Sequence, residues 1–519
     1  MQDIDHPALA AALAAIHTDQ KGPGGAIGVV KDGQVVLAHS WGHADVANHI
    51  PVTARTRFPI CSISKQFTCA ILQGIEPDLS RFDRHLESHL PKMENRPSVR
   101  DLCNNQSGLR DYWALTVLHG ADAEGVFARK DAAELFSRMK TTHFAPGTAY
   151  SYSNGNFRIL SDIIEAETGR SLGDLYRENI FGPAGMQTAE LIPDTAGSGD
   201  PIVGYEGNDA VGFFPATNRI LWTGDAGIVA SLEDMLAWEK FIDATRDDEN
   251  GIYRRLAEPQ AFADGSDAFY GNGLSHGAIG TIRTTGHGGA LRGFRLHRLH
   301  APSKRLSVVV LFNHENDAGG TANKVMKAAL GIPADEPLAP VTDGGWDGAY
   351  LDRETGLLLQ VSKSEAGLSA RIAGSAETLS AKDRDTIGSD AMTLSRNGDT
   401  IHYTRWRENL TGTAIRVTGT ARPDISGCYH CDELEAGFTI IDTGGAIYGF
   451  FEGVLGTGEM APLYPVGTDV WTLPCRRSMD APAPGDWTVQ IHRDAHGAIE
   501  DLTIGCWLAR NLHYRRIGG

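Results

Sequence analysis

Two apolar runs in AIGVVKDGQVVLAHSWG, residues 26–42, flank Asp32-Gly33, and strand-forming residues on both sides of an Asp-Gly pair predict a β-hairpin. Ahead of it, apolar positions at 8–16 recur at helical spacing and stop at the breaker Gly22-Pro23-Gly24. Beyond the hairpin the period lengthens. Stretches 64–75, 131–140, 157–168 and 232–245 place apolar residues three and four apart, as one-sided helices do. A strand returns at 306–312, and a last helix is expected at 321–330. Hairpin first, helices in the middle, strands and a helix last predict an α+β domain over residues 1–330, built on an antiparallel sheet where the two ends of the segment meet.

A break follows at GIPADEPLAPVTDGG, residues 331–345, where three prolines and no apolar period predict a linker. Past it, short alternating runs separated by Gly, Asp and Asn turns predict antiparallel barrels with almost no helix. Two weakly similar units are visible there. GAYLDRETGLLLQV from Gly348 is echoed by GCYHCDELEAGFTII from Gly427, and ENLTGTAIRV from Glu408 by RNLHYRRI from Arg510. Tyr350 and Tyr429 lie 79 residues apart while Asn409 and Asn511 lie 102 apart, so the second unit holds 23 extra residues. Much of this insertion is assigned to PCRRSMDAPAPGDW, residues 474–487, rich in proline and charge and poor in apolar pattern. The expected fold is multi-domain α+β: residues 1–330, a linker at 331–345, a first β-barrel domain at 346–418, and a second at 419–519 carrying the loop 474–487.

Composition narrows the partners. The 519 residues carry a formal net charge of −18 and no cluster of Lys and Arg interleaved with aromatics, so nucleic acid and anionic membrane are not expected partners. No run approaches the roughly 18 apolar residues that span a bilayer. The start, MQDIDHPALAAALAAIH, is acidic where a secretory leader is basic. Seven scattered cysteines, an odd number, do not form a disulfide framework and predict a reducing, cytoplasmic setting. The one C-x-x-C, Cys428 to Cys431, falls on an expected strand, where positions three apart face opposite sides and cannot chelate together; no metal or cofactor is expected.

The chemistry concentrates in FPICSISKQFTCAIL, residues 58–72, where a serine and a lysine interrupt an otherwise apolar helix. Three apart, Ser62 and Lys65 share one face. The unpaired N–H groups of a helix start lie beside the hydroxyl, and a lysine half-buried among Ile60, Phe67 and Ile71 loses enough basicity by desolvation to activate it. The spacing alone is weak, since SRMK at Ser137 and Lys140 repeats it on the polar end of an amphipathic helix. Two other stretches strengthen it. FAPGTAYSYSNGN, residues 144–156, sets Tyr152 and Asn154 two apart in a turn-rich segment, and TGHGGALRGF, residues 285–294, sets His287 among glycines. A phenol near a lysine can relay a proton, an amide can orient the lysine or a substrate carbonyl, and glycines let a substrate approach a strand backbone.

S-x-x-K, Y-x-N and H-x-G in this order resemble the three motifs of the class C serine β-lactamases and penicillin-binding proteins, in the esterase and D-peptidase branch where H-x-G replaces K-T-G. PVTARTRFPICSISK, NNQSGL from Asn104 and DAGIVASLEDMLAWEKF from Asp225 agree over residues 1 to 330. With the two barrel-like units, GAIYGFFEG and RRSMDAPAPGDW, the whole chain resembles the D-stereospecific aminopeptidase family of that superfamily. The resemblance implies a β-lactamase/transpeptidase-like catalytic domain followed by two lipocalin-like barrels. It also implies a homodimeric serine peptidase, open to inhibition by β-lactams, that releases N-terminal D-amino acids such as D-Ala from small peptides, amides and esters through an acyl-enzyme.

By the same resemblance Ser62 is the nucleophile, Lys65 and Tyr152 shuttle protons with either as the base, and the backbone N–H groups of Ser62 and Ala290 form the oxyanion hole. His287 orients Tyr152 or stabilises charge, and Asn154, Gly289 and Arg219, in FPATNRI, contact substrate. Asp225 supports the fold. The catalytic motifs hold no carboxylate to meet a substrate ammonium, and since a loop of the last barrel enters the active site in that family, Asp480 on the loop 474–487 is the candidate. Ser275 in YGNGLSHG departs from the family's asparagine. Two alternatives stay open. An esterase or D-Ala-D-Ala carboxypeptidase would want a cationic reader, and a non-catalytic binder of β-lactams or small ligands would have no need of Ser62, Lys65, Tyr152 and His287 together.

Overall fold

The computed structural model describes residues 6–197, 200–333, 345–364, 367–372, 376–480 and 483–518. Its principal helices are α1 (His6–Asp19), α2 (Ser64–Ile75), α3 (Asn154–Thr168), α4 (Leu232–Ala244) and α5 (Ala318–Ala329). The central strands are β1 (Gly24–Lys31), β2 (Gln34–Asp45), β3 (Leu274–Ile279), β4 (Ile282–Leu291), β5 (Phe294–Ala301) and β6 (Leu306–Phe312).

β1 and β2 form the expected hairpin, with Asp32 at φ 51° and Gly33 at φ 74° in its turn. Two consecutive positive φ angles are what an Asp-Gly pair tolerates and most pairs do not. β1 also pairs with β6, from Gly25 opposite Phe312 to Lys31 opposite Leu306, so the two ends of the first 330 residues meet in an antiparallel sheet of order β3-β4-β5-β6-β1-β2. β6 reads LSVVVLF because it is buried on both faces. Val308 and Val310 face Leu9, Ile16, Val325 and Met326 of α1 and α5, while Val309 and Leu311 face the larger core that holds α2 and α4.

α3 starts three residues before the expected 157, at Asn154. No local side chain caps it; the distant Asp111 carboxylate accepts the Asn154 N–H at 2.7 Å, which no local pattern reveals. α5 likewise starts early, at Ala318, with Asp317 accepting the Gly320 N–H. The expected linker 331–345 falls largely outside the described residues.

Eight strands from Gly348–Asp352 to Leu410–Arg416 run up and down into a closed barrel, the last pairing the first through Tyr350 opposite Arg416. The second unit repeats the construction. Tyr350 donates its hydroxyl to the carbonyl of Trp346 and Tyr429 to that of Ile425, four residues back in each case. Asn409 and Asn511 both take positive φ, at 48° and 54°. The second sheet departs from the expected closure: its ten strands remain open among the described residues. Pro462 and Pro465 lie in the two edge segments, Ala461–Pro462 and Tyr464–Gly467, where a missing N–H denies the ladder its next rung. Helix Tyr112–Leu118 packs on strands Ala436–Asp442 and Ile447–Gly453, and the buried residues of this sheet and of the first 330 residues form one cluster. Cys428 is exposed and Cys431 buried on one strand, so the pair faces opposite ways.

Candidate active site

Ser62 lies in a single 3-10 turn, Cys61–Ile63, that feeds into α2. Cys61 sits at φ 51°, a conformation costing a non-glycine residue roughly 1–3 kcal/mol, and complete burial of its side chain holds it there. The bend buries Cys61 and Ile63 and leaves Ser62 half-exposed between them.

Lys65 is wholly buried, and its Nζ donates to Ser62 Oγ at 2.9 Å, Asn154 Oδ1 at 2.8 Å and the Asp225 carbonyl at 2.7 Å. Burial lowers its pKa to about 8 against the pull of the Asp225, Asp111 and Asp480 carboxylates. Tyr152 hydrogen-bonds Ser62, and burial holds its phenol well above the ordinary range. Its ring centroid lies 5.0 Å from Lys65 Nζ. One hydroxyl thus meets an amine and a phenol, an arrangement that can take its proton and hand it to a leaving group.

His287 faces the same space from β4, but its contacts differ from those expected. Nδ1–H donates to the Gly288 carbonyl at 2.5 Å, so Nε2 accepts the Tyr270 hydroxyl at 3.0 Å. Both ring nitrogens are spent on groups other than Tyr152, and burial lowers the ring's pKa to about 3, which keeps it neutral. β3 covers β4 only as far as Gly286; past it the β4 edge meets the Cys61–Ile63 turn. A Cβ on Gly289 would lie 2.5 Å from the Ile60 carbonyl oxygen and 3.2 Å from Cys61 Cβ, so glycine there sets the approach of Ala290 to the serine turn. The Ser275 hydroxyl bonds the Gly286 carbonyl at 2.8 Å.

A cavity of about 560 Å³ opens over these groups, lined by Ser62, Tyr152, Asn154, His287, Gly289 and Ala290 on one side. Asp480 of the insertion lines the other, so the loop reaches the cavity of its own chain. Arg292, buried in the β4–β5 turn, holds that loop: its backbone N–H donates to the Asp480 carbonyl at 3.2 Å and its guanidinium to the Ser478 carbonyl at 3.0 Å. Arg477 adds ion pairs to Glu124 and Glu206, both at 2.9 Å.

Two cavity groups escape sequence reasoning. Asp111 follows NNQSGLR with no periodic signal, yet it accepts both the backbone N–H and the side-chain amide of Asn154 and lines the cavity. Burial, and then Asp480, push its pKa up to about 7. Arg292 ends GGALR without any local mark of its clamping role. Arg219 is not brought in: it is exposed at the mouth of a second cavity, because the 216–222 segment runs along the far side of the β4–β5 turn. In SRMK, Ser137 bonds the Glu134 carbonyl and Lys140 the Asp432 carbonyl, so the pair does not meet. Asp225 takes the Tyr112 hydroxyl at 2.7 Å and lends its carbonyl to Lys65.

The sequence profile described as "Beta-lactamase" matches residues 9–331, and that described as "D-aminopeptidase, domain B" matches 341–515. A curated D-aminopeptidase of Brucella canis is 54% identical over 519 residues, covering 100% of both chains, and one of Brucella anthropi 55% over the same span. Among solved structures, the octameric penicillin-binding protein homologue from Pyrococcus abyssi matches with a TM-score of 0.55 at 20% identity, covering 79% of this chain and 100% of that one. The D-amino acid amidase from Ochrobactrum anthropi SV3 complexed with D-phenylalanine matches with a TM-score of 0.52 at 20% identity, covering 63% and 99%. These two share the fold. End-to-end identity above half, with a β-lactamase-type half followed by the family's own domain B, makes the chain a member of the D-aminopeptidase family, enzymes built on the β-lactamase fold.

Proposed function

We propose that this enzyme releases N-terminal D-amino acids from small amides, esters and short peptides, with Ser62 Oγ attacking the carbonyl carbon. The serine proton passes to Lys65 or Tyr152 and on to the leaving amine or alcohol; water then displaces Ser62 from the acyl-enzyme and regenerates it. The N–H groups of Ser62 and Ala290 face the developing oxyanion, Asn154 aligns Lys65 and the substrate amide, and neutral His287 steadies the Tyr270 side of the pocket. D-aminopeptidase relatives and the D-amino acid amidase fold neighbour support the D-substrate. β-Lactams would acylate the same serine. A homodimer and a reducing, cytoplasmic setting complete the reading, the latter supported by seven unpaired cysteines.

The observation that carries it is the charge around Ser62. Asp111, Asp480, Glu315 and Asp317 line the cavity, while its arginine, Arg295, is paired with Glu315 at 3.1 Å. Such a pocket suits a free ammonium and repels the carboxylate that a carboxypeptidase would bind. Asp480→Asn is expected to lower kcat/KM for D-alanine p-nitroanilide by about 10- to 100-fold, with little change for the N-acetyl analogue, as loss of a charge partner in a desolvated site implies. A wild type that cleaves the acetylated substrate as well as the free amine would sink the aminopeptidase reading.

Gly289→Ala is expected to lower kcat by about 10²-fold, the scale of losing one oxyanion donor, because the added methyl pushes Ala290 away from the serine turn. Steady-state kinetics beside a circular-dichroism melt would separate this from unfolding.

A further inference from the structure

We propose that the second cavity, at whose mouth Arg219 stands, binds a free amino acid with an apolar side chain and thereby adjusts the active site on the other side of the β4–β5 turn. The cavity measures about 400 Å³, within the range of about 300–1,000 Å³ of small-molecule sites. Trp222, Phe294 and Ile192 give it an apolar wall. The Arg219 guanidinium has no hydrogen bond or ion pair among the described residues and offers a fork for a carboxylate. Arg57, the other arginine of the lining, is already matched by Asp200 at 2.8 Å and Glu190 at 3.0 Å. Asn218 donates its amide N–H to the Arg292 carbonyl at 3.0 Å, which leaves its Oδ1 buried and without a donor. A buried carbonyl oxygen without a partner costs about 1–3 kcal/mol, and an ammonium would satisfy it. Carboxylate reader, ammonium acceptor and apolar wall together describe a zwitterionic amino acid. Under the proposed reaction such a molecule is the product.

The wiring to the active site is short. Pro59 of the lining precedes Ser62 by three residues, Gly227 follows Asp225 by two, and Leu291 follows Ala290 directly. Arg292 joins the two cavities: it donates to the Thr217 carbonyl of the second at 3.0 Å and holds the Ser478 and Asp480 carbonyls of the first. A ligand that moves Thr217 or Asn218 moves Arg292, and with it the loop carrying Asp480.

Titration calorimetry with free D-leucine, paired with inhibition of D-alanine p-nitroanilide hydrolysis, tests this on the full chain. The expected result is two sites per chain and an inhibition pattern with a competitive and a noncompetitive component. Arg219→Gln should weaken the second site and the noncompetitive constant about tenfold, and Arg219→Glu further, with the competitive constant unchanged. Arg219 is exposed, so neither change threatens the fold. One site with purely competitive inhibition overturns the proposal, as does a second site indifferent to both substitutions. Calorimetry counts sites without turnover, so a chain that fails to cleave D-amides would defeat the reaction and leave this site still measurable.

Discussion

Ser62→Ala is expected to lower kcat for D-alanine p-nitroanilide by about 10⁴- to 10⁶-fold, the range seen when the nucleophile of a serine hydrolase is removed. The atom lost is the one that bonds to substrate, and the oxyanion donors and binding groups that remain supply only a residual acceleration of about 10³–10⁴ over water. Folding should be intact, because the change removes one hydrogen bond, from Lys65 at 2.9 Å, worth about 1 kcal/mol at a half-exposed position. Intact-mass measurement after mixing with a slow ester should show an acyl adduct on the wild type and none on the variant. Ser137→Ala, in the second S-x-x-K, should be indistinguishable from wild type, since its hydroxyl only bonds the Glu134 carbonyl. Activity of Ser62→Ala within tenfold of wild type would rule out the acyl-enzyme.

Lys65→Met should cost at least about 10³-fold in kcat, the scale of losing a positioned base together with the alignment it gives the nucleophile. The companion effects are in pH. With Lys65 at about 8, neutral amine becomes available as pH rises, so kcat/KM should climb through a limb near pH 8 if Lys65 is the base. If the Tyr152 phenolate is the base, no limb appears there, because its pKa stands well above that of free tyrosine. Asp111, pushed up to about 7, could contribute a nearby limb, and Asp111→Asn separates the two: a limb owed to Lys65 survives it. For stability the sign is fixed by the same shift. A lysine depressed from 10.5 to about 8 on folding costs stability in full below about pH 8, and the cost fades as pH rises toward 10.5. At pH 7 that penalty is about 3 kcal/mol, against three hydrogen bonds worth about 1 kcal/mol each that methionine would forfeit. The two nearly cancel, so denaturant melts at pH 7 should agree within about 1 kcal/mol, while the wild type's gain between pH 8 and 10.5 should vanish in Lys65→Met.

Where local spacing carries chemistry, the sequence was informative. Ser62 and Lys65 meet because three residues span one turn of helix, and the hairpin at Asp32-Gly33 and the buried strand at Leu306–Phe312 follow from turn chemistry and from a run apolar on both faces. The repeated tyrosines announced two related sheets. What stayed hidden depends on residues far apart in sequence. Asp111 acts on a helix that begins at Asn154, so neither stretch alone marks the contact. Arg219 sits near a motif in sequence order yet across a strand turn from it in space. The second sheet stays open at Pro462 and Pro465, an outcome set by which edge finds a partner, and alternation of side chains does not encode that.

The hold of Arg292 on the Asp480 loop has a consequence for the order in which this enzyme is made. Serine and proposed amine reader lie near opposite ends of the polypeptide, and domains fold as they leave the ribosome, the first ones first. A nascent chain whose first 330 residues have folded already holds Ser62, Lys65, Tyr152 and His287, while the partners of Arg292 at Ser478 and Asp480 are still unmade. Reactivity therefore precedes selectivity during synthesis, and the last segment translated is the one that narrows what the serine will accept.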